Sequence, residues 1–271
     1  MRRATAFVVV LVAASVATAC GGAEAVQSVA PRSDVTAAAT KTEKVATYRA
    51  SFEGTTESMG QTVRTTGEGE FDAEHKRGHM NFKSAIAGTE LQLEMVMAWP
   101  LMYMRFPAEL GAQLPPGKEW VEFDLQKVGK QLGFDFQQLM QAGQADPTQG
   151  LGYLRGITNI STVGTDDVRG VQTTHYRGVV DFHRLAVELP EAKESIEQLM
   201  KIAKVDRVPT DVWVGDDGLV RRMKYTYDMQ LAGQPTKTTM QTDLYDFGTD
   251  VHVSIPPADS VVDITQLVGN A

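Results

Sequence analysis

Residues 211–227, DVWVGDDGLVRRMKYTY, alternate apolar and polar side chains, break at Asp216-Asp217-Gly218, and then alternate again. A period of two is the mark of a β-strand with one dry and one wet face, and it excludes an amphipathic helix over the same residues. Val212 and Val214 point to one side and Trp213 to the other. Past the turn, Leu219, Met223, Tyr225, Tyr227, Met229 and Leu231 share one face, while Arg222, Lys224, Thr226, Asp228 and Gln230 share the opposite one. Gly218 supplies the positive φ of a tight turn, and the two aspartates support the bend through side-chain to backbone hydrogen bonds. A calcium site would need further oxygen ligands at set spacing, and here glycines flank the pair, so Asp216 and Asp217 read as turn residues.

The same alternation recurs along the chain. A helix capped by Ser33 or Asp34 is expected to run to about Ala46, followed by strands over 47–56, 61–72 and 78–86, the last with Met80, Phe82, Ser84 and Ile86 on one side. The most regular stretch is 89–99. There Leu91, Leu93, Met95, Met97 and Trp99 line one face and Glu90, Gln92 and Glu94 the other, so the cost of burying carboxylates pins the register. After Pro100, Met102, Met104 and Phe106 continue the pattern, and a turn at LPPG leads to a strand over 120–125.

Between 125 and 155 the pattern changes to two or three short helices, with Asp146-Pro147 opening the last. Strands return at 157–163 and 171–182. A helix is expected over 191–204, with Ala192, Ile196, Leu199, Met200 and Ala203 on one face, glutamates leading and lysines trailing as the helix dipole prefers. The hairpin and a strand over 236–247 complete an α+β chain of about eleven strands, mostly joined by turns short enough to imply antiparallel neighbours.

The N-terminus has the form of an export signal over residues 1–19: a basic Arg2-Arg3, an apolar stretch from Ala6 to Val16 too short to span a membrane comfortably, and the small residues Ala17-Thr18-Ala19. Cys20-Gly21-Gly22 follows. Cys20 is the one cysteine in the chain, so it has no internal disulfide partner. The run resembles the lipobox of bacterial lipoproteins, with Ala17 standing where the common pattern has leucine. The resemblance implies that Cys20 carries a diacylglycerol and anchors the protein on the extracytoplasmic face of the cell membrane. Residues 21–33 then read as a tether of roughly 20 Å root-mean-square span. Residues 34–271 form a single expected domain, since no low-complexity linker divides them.

The formal net charge of −8 argues against nucleic acid as a partner. The motifs of enzyme chemistry are missing as well: there is no Gly-x-Ser-x-Gly elbow, His-Glu-x-x-His or phosphate loop, and no cofactor is expected. In GLGYLRG, residues 150–156, the third glycine falls one place late for a dinucleotide fingerprint. His75 and His79 lie in a β-like context, where four residues span roughly 13 Å, too far for one metal ion. Asn159-Ile160-Ser161 matches a glycosylation sequon by pattern only.

The order of elements, VWVGDDGLVRRMKY near the C-terminus, VQTTHYRGVVDF at 171–182 and IPPADSVVDI at 255–264 together resemble actinobacterial lipoproteins of the LppX/LprG type, which share the LolA/LolB-like architecture. The resemblance spans residues 33–262. It implies a curved antiparallel half-barrel whose concave face is covered by helices, with an apolar cavity for acyl chains or a lipidated protein. The residues support the cavity independently through methionine, of which the chain has 12. Methionine is suited either to lining a surface that accepts varied apolar ligands or to filling gaps in a tight core. The candidate lipid-binding set is Met80, Phe82, Leu91, Leu93, Met95, Met97, Trp99, Met102, Met104, Met223, Tyr225 and Met229, with Cys20 as the lipidation site. Tyr176, Tyr225 and Tyr227 are either polar-tipped core residues or hydroxyls placed at a lipid head group. Two functions are open: an anchored lipoprotein that carries, presents or senses an acyl-chain lipid or glycolipid, and a non-enzymatic module of the same fold, with a filled core, that recognises an envelope protein.

Overall fold

The computed structural model describes residues 28–86, 89–107, 114–127, 149–231 and 234–264. Cys20, the signal segment, most of the tether and the helices expected between 128 and 148 lie outside the described residues. Strands β1 (Ser28–Val29), β2 (Thr47–Ser58), β3 (Gln61–Asp72), β4 (Arg77–Ile86), β5 (Thr89–Ala98), β6 (Leu101–Arg105) and β7 (Trp120–Asp124) are followed by β8 (Ile157–Val168), β9 (Val171–Asp181), β10 (Arg207–Gly215), β11 (Val220–Leu231), β12 (Gln234–Tyr245) and β13 (Val261–Asp263). They form one unclosed sheet of thirteen strands in the order β1-β8-β9-β10-β11-β12-β2-β3-β4-β5-β6-β7-β13. Every pairing is antiparallel except β13 against β7. The sheet is a curved half-barrel, as expected, and exceeds the expected eleven strands by its edges: β1 and β13 are two and three residues long, too short to show a period.

Three α-helices lie among the described residues: α1 (Arg32–Thr42), α2 (Phe182–Glu188) and α3 (Lys193–Ala203). α1 begins earlier than expected, at Arg32, with Pro31 in the N-cap position and no side-chain cap, so neither Ser33 nor Asp34 has that role. α2 begins at Phe182, the last residue of the strand expected over 171–182, because Asp181 turns the chain by accepting the backbone N–H groups of His183 and Arg184. α3 starts two residues late because Pro190–Ala192 form a 3₁₀ turn first.

The period of two sorts the sheet into an inner face, packed toward the helices, and an outer face. Tyr48, Ala50, Phe71 and Leu244 lie on the inner face and join Val35, Ala38 and Ala39 of α1 in the main core. Glu53, Glu57, Lys83, Lys224 and Lys237 are exposed on the outer face.

The hairpin of β10 and β11 fastens α1 to the sheet. Gly218 takes φ +72° in its turn, the Lys41 ammonium of α1 donates to the Asp217 carbonyl oxygen, and the Val220 N–H donates to the Thr42 hydroxyl at 2.9 Å. A bulge after Trp213 pairs Val214 with Val220. Val220, rather than the expected Leu219, is therefore the fully buried residue, because the inserted residue reverses the alternation on one side of it.

Candidate functional site: an apolar cavity under the helices

A cavity of about 560 Å³ separates the middle of the inner face from the helices. Its floor is set by register. Met80 pairs with Met95 and Phe82 with Leu93, while Met95 also pairs with Met104 and Met97 with Met102, so a continuous apolar patch crosses β4, β5 and β6. Across β3 the patch meets glycine: Gly67 faces Phe82 and Gly69 faces Met80. A Cβ at Gly67 would lie 2.6 Å from Phe82 Cδ1, and one at Gly69 would lie 2.7 Å from Met80 Cγ. Both side chains lie over β3 only because those positions carry none. On the far side, Tyr225 of β11 pairs with Thr210 and Met240, and Met223 with Val212 and Thr242.

The roof combines two elements that sequence periodicity did not mark with α3, whose apolar face it did. Tyr153 and Leu154 descend from the 3₁₀ segment Gln149–Gly156, Phe182 from α2, and Leu199 and Ala203 from α3. Tyr153 packs edge-on against Phe182 with ring centroids 5.7 Å apart. α2 and α3 share their own buried cluster of Leu185, Ala186, Leu189, Ala192 and Ile196, so the roof is held as a unit. Arg32 ties α1 to this unit through an ion pair with Glu188 at 3.2 Å.

Of the candidate lipid-binding residues, the fold brings Met80, Phe82, Met95, Met223 and Tyr225 together on the cavity wall. Leu91, Leu93, Met102 and Met104 lie on the same inner face, partly buried, outside the lining. Met97 packs into the main core, and Trp99 sits in the turn after β5, where its N–H donates to the Lys76 carbonyl at 3.2 Å. Met229 lies on β11, and its side chain is outside the described residues. Phe52, Met240 and the roof residues were absent from the candidate set. Met240 lies in the strand expected over 236–247, whereas nothing in GLGYLRG distinguishes Tyr153 as a wall residue.

None of the described lining residues carries a charge. Their polar atoms are hydroxyls. Burial, reinforced by the neighbouring Tyr227, pushes the Tyr225 phenol up to about 12. Burial, with Tyr225 and Tyr227 nearby, drives the Tyr153 phenol well above the ordinary range. Tyr227 is raised by burial too, partly offset by a hydrogen bond with Thr238. Tyr225 and Tyr227 stack with centroids 6.0 Å apart. Tyr176 does not line the cavity and packs against the main core.

The polar chemistry of the outer face is self-contained. His175 stacks on Trp213 at 4.1 Å and meets Asp211 at 2.7 Å, the Trp213 indole N–H donates to Asp166 at 2.7 Å, and Arg222 grips Asp243 with two hydrogen bonds of 2.6 Å. His75 and His79 have separate partners, Asp72 and Glu94. Asp217 is engaged by the Leu219 N–H and by Arg221. Among the described residues no three His, Cys, Asp or Glu side chains gather to hold a metal ion, and no helix is long and apolar enough to cross a membrane.

No protein-family profile matches the chain. An uncharacterised 31.2 kDa protein of Streptomyces griseus, encoded between rplA and rplJ, is 28% identical over 159 residues; the match covers 56% of this chain and about half (50%) of the relative's length. Among solved structures, LprF from Mycobacterium bovis is 12% identical with a TM-score of 0.48, covering 83% of this chain and 96% of that one. The Mycobacterium tuberculosis lipoprotein LppX, of the type the sequence resembles, is 12% identical with a TM-score of 0.46, covering 82% and 97%. MucB, solved in complex with MucA, is 11% identical with a TM-score of 0.33, covering 85% of this chain and 60% of that one.

Proposed function

We propose that this protein is a lipoprotein that binds the acyl portion of a lipid or glycolipid in the cavity and carries, presents or senses it at the extracytoplasmic face of the cell membrane. The observation that carries the reading is a volume of about 560 Å³ walled by methionine and aromatic side chains, with no charged residue among the described lining. That size falls in the range of small-molecule sites, and flexible methionines adapt to chains of varied length and kink. Residues 34–271 act as one lipid-binding domain without catalytic activity, and a diacylated Cys20 holds it near the bilayer, two acyl chains sufficing for stable anchoring.

Two measurements test this. Lipid extracted from the purified protein and identified by mass spectrometry is expected to contain acyl chains in near-stoichiometric amount; a lipid-free protein isolated with a stable envelope-protein partner would favour the interaction module instead. Cys20→Ser is expected to move the protein from the membrane fraction to the medium, and its retention in the membrane would refute the anchor.

A further inference from the structure

The cavity wall concentrates one oxidisable group, the methionine thioether. Met80, Met95, Met223 and Met240 all belong to the described lining. They form two clusters, one on each side of Phe52 of β2: Met80 faces Met95 across β4 and β5, and Met240 faces Tyr225 across β12 and β11, with Met223 two residues along β11. Met80 and Met223 are each 5% exposed, whereas Met95 and Met240 are only partly buried. Two methionines elsewhere bracket them. Met97, 8% exposed, is packed in the main core, and Met59, 74% exposed, stands in the turn between β2 and β3.

A thioether that meets hydrogen peroxide attacks one peroxide oxygen through a sulfur lone pair. The O–O bond breaks, a proton moves to the leaving oxygen, and the products are methionine sulfoxide and water, sulfur losing the two electrons that peroxide gains. The product is polar where the thioether was apolar. At Met240 the backbone of β2 closes one side of the sulfur, since a Cβ on Gly54 would lie 3.3 Å from Sδ, so an added oxygen is directed away from β2. At Met95 the partners in register are Met80 and Met104, and neither side chain offers a hydrogen-bond donor. A sulfoxide in such a wall holds water beside it, and an acyl chain laid along the wall has to strip that water away. An acyl chain already in place keeps peroxide from the sulfur.

We propose that Met95 and Met240 are oxidation sites through which peroxide regulates the cavity: they are open to the oxidant in the empty protein, shielded in the loaded one, and opposed to loading once they are sulfoxides. Their reactivity follows from the wall geometry, while the shielding and the loss of loading rest on the lipid-binding reading above.

The test treats the full-length protein with hydrogen peroxide, both as purified with its cellular lipid and after delipidation, and follows sulfoxide at each methionine by peptide mass spectrometry. Loading is then measured as acyl lipid taken up from vesicles of total cellular lipid extract. Met59 is expected to oxidise equally in both forms and Met97 in neither. Met95 and Met240 are expected to oxidise within about tenfold of the Met59 rate in the delipidated protein and about fivefold or more slowly in the loaded one. Peroxide is expected to cut subsequent uptake about tenfold. Met95→Leu combined with Met240→Leu conserves volume and apolarity, and is expected to load like the unsubstituted protein and to keep that uptake within about twofold after peroxide. Oxidation of Met95 and Met240 as slow as that of Met97 overturns the proposal, as does an equal rate with and without lipid, or a loss of uptake in the double variant as large as in the unsubstituted protein. In these three cases the lipid-binding reading stands, because the untreated protein still loads. Failure of the untreated protein to carry or take up any acyl lipid overturns that reading and the regulation together.

Discussion

The two ends of the sheet's inner face are built from the same alternation and reach opposite outcomes. At one end Tyr48, Ala50, Phe71 and Leu244 are at most 1% exposed, with Tyr48 stacked on Phe71 at 5.0 Å and α1 pressed over them. A few residues further along β2 and β12, Phe52 and Met240 face a void, as do Phe82 and Met95 on the neighbouring β4 and β5. What differs is the covering element. α1 presents small residues, Ala38 and Ala39, that let its backbone approach the sheet, and Lys41 and Thr42 bind it to the hairpin turn. Over the void the roof of Tyr153, Phe182, Leu199 and Ala203 is braced on its own cluster and stands off the floor. An amphipathic face is therefore no guide to whether it is filled; that is set by how near the opposing element can come.

The sharpest way to break this contrast is a charge on each side of it. Met97→Lys, in the core, is expected to prevent folding or remove most of the stability, since an unpaired buried ammonium costs several kcal/mol against a total of about 5–15 kcal/mol. Met95→Glu, two residues away on the cavity wall, is expected to fold with a loss of about 1–2 kcal/mol, because the space can admit water around the carboxylate, and to lose its lipid. Thermal midpoints and extractable lipid check both. Equal damage from the two would show the wall to be core.

Truncation gives the next largest difference. Phe71→Ala is expected to cost about 3–5 kcal/mol, the range for emptying a close-packed aromatic site, and Phe82→Ala roughly half of that or less, because one side of Phe82 already faces open space. Urea unfolding with an unchanged slope is the measurement.

A smaller effect tests the roof. Burial acts to raise the Asp181 carboxyl, but the N–H groups of Arg184 and His183, with Arg207 nearby, outweigh it and hold the group below its usual range. A depressed carboxylate stabilises the fold above its unfolded pKa, and the contribution is lost as pH falls through the folded value. Asp181→Ala is therefore expected to cost about 1 kcal/mol at neutral pH and to flatten the stability loss below pH ~4. If it also weakens lipid retention, α2 positions the roof.

The smallest effect is silent at neutral pH. With its phenol pushed up to about 12, Tyr225 contributes stability that is complete below pH ~10 and is lost as pH rises through the folded value. In an alkaline titration followed by tyrosinate absorbance, Tyr225→Phe is expected to remove a late-ionising group, and bound lipid to delay that group further. An early-ionising Tyr225 would mean that the cavity is wet.

Much of the site's floor was legible from sequence. Leu91, Leu93, Met95 and Met97 alternate so regularly with Glu90, Gln92 and Glu94 that their common face needs no further information, and Met80, Phe82, Met223 and Tyr225 follow by the same reasoning. Of the roof, Leu199 and Ala203 share the apolar face expected over 191–204, but the rest was hidden. Tyr153 lies in a 3₁₀ segment with no two-residue period, and Phe182 reads as the last residue of a strand until Asp181 caps α2. Gly67 and Gly69 were visible as glycines, but their meaning depends on Phe82 and Met80 lying across them from the next strand.

By itself the sequence determined which side chains share a face, because alternation follows from the geometry of a single extended backbone. It also determined where the chain turns, since Asp216-Asp217-Gly218 suits a bend wherever it occurs. Only the tertiary structure decided that β11 is bulged so that Val220 turns inward, that thirteen strands leave the sheet unclosed, and that α1 closes one end while α2 and α3 leave a cavity at the other. Those outcomes depend on the distance between segments far apart in the chain, and that distance is set by packing in three dimensions, which no local pattern encodes.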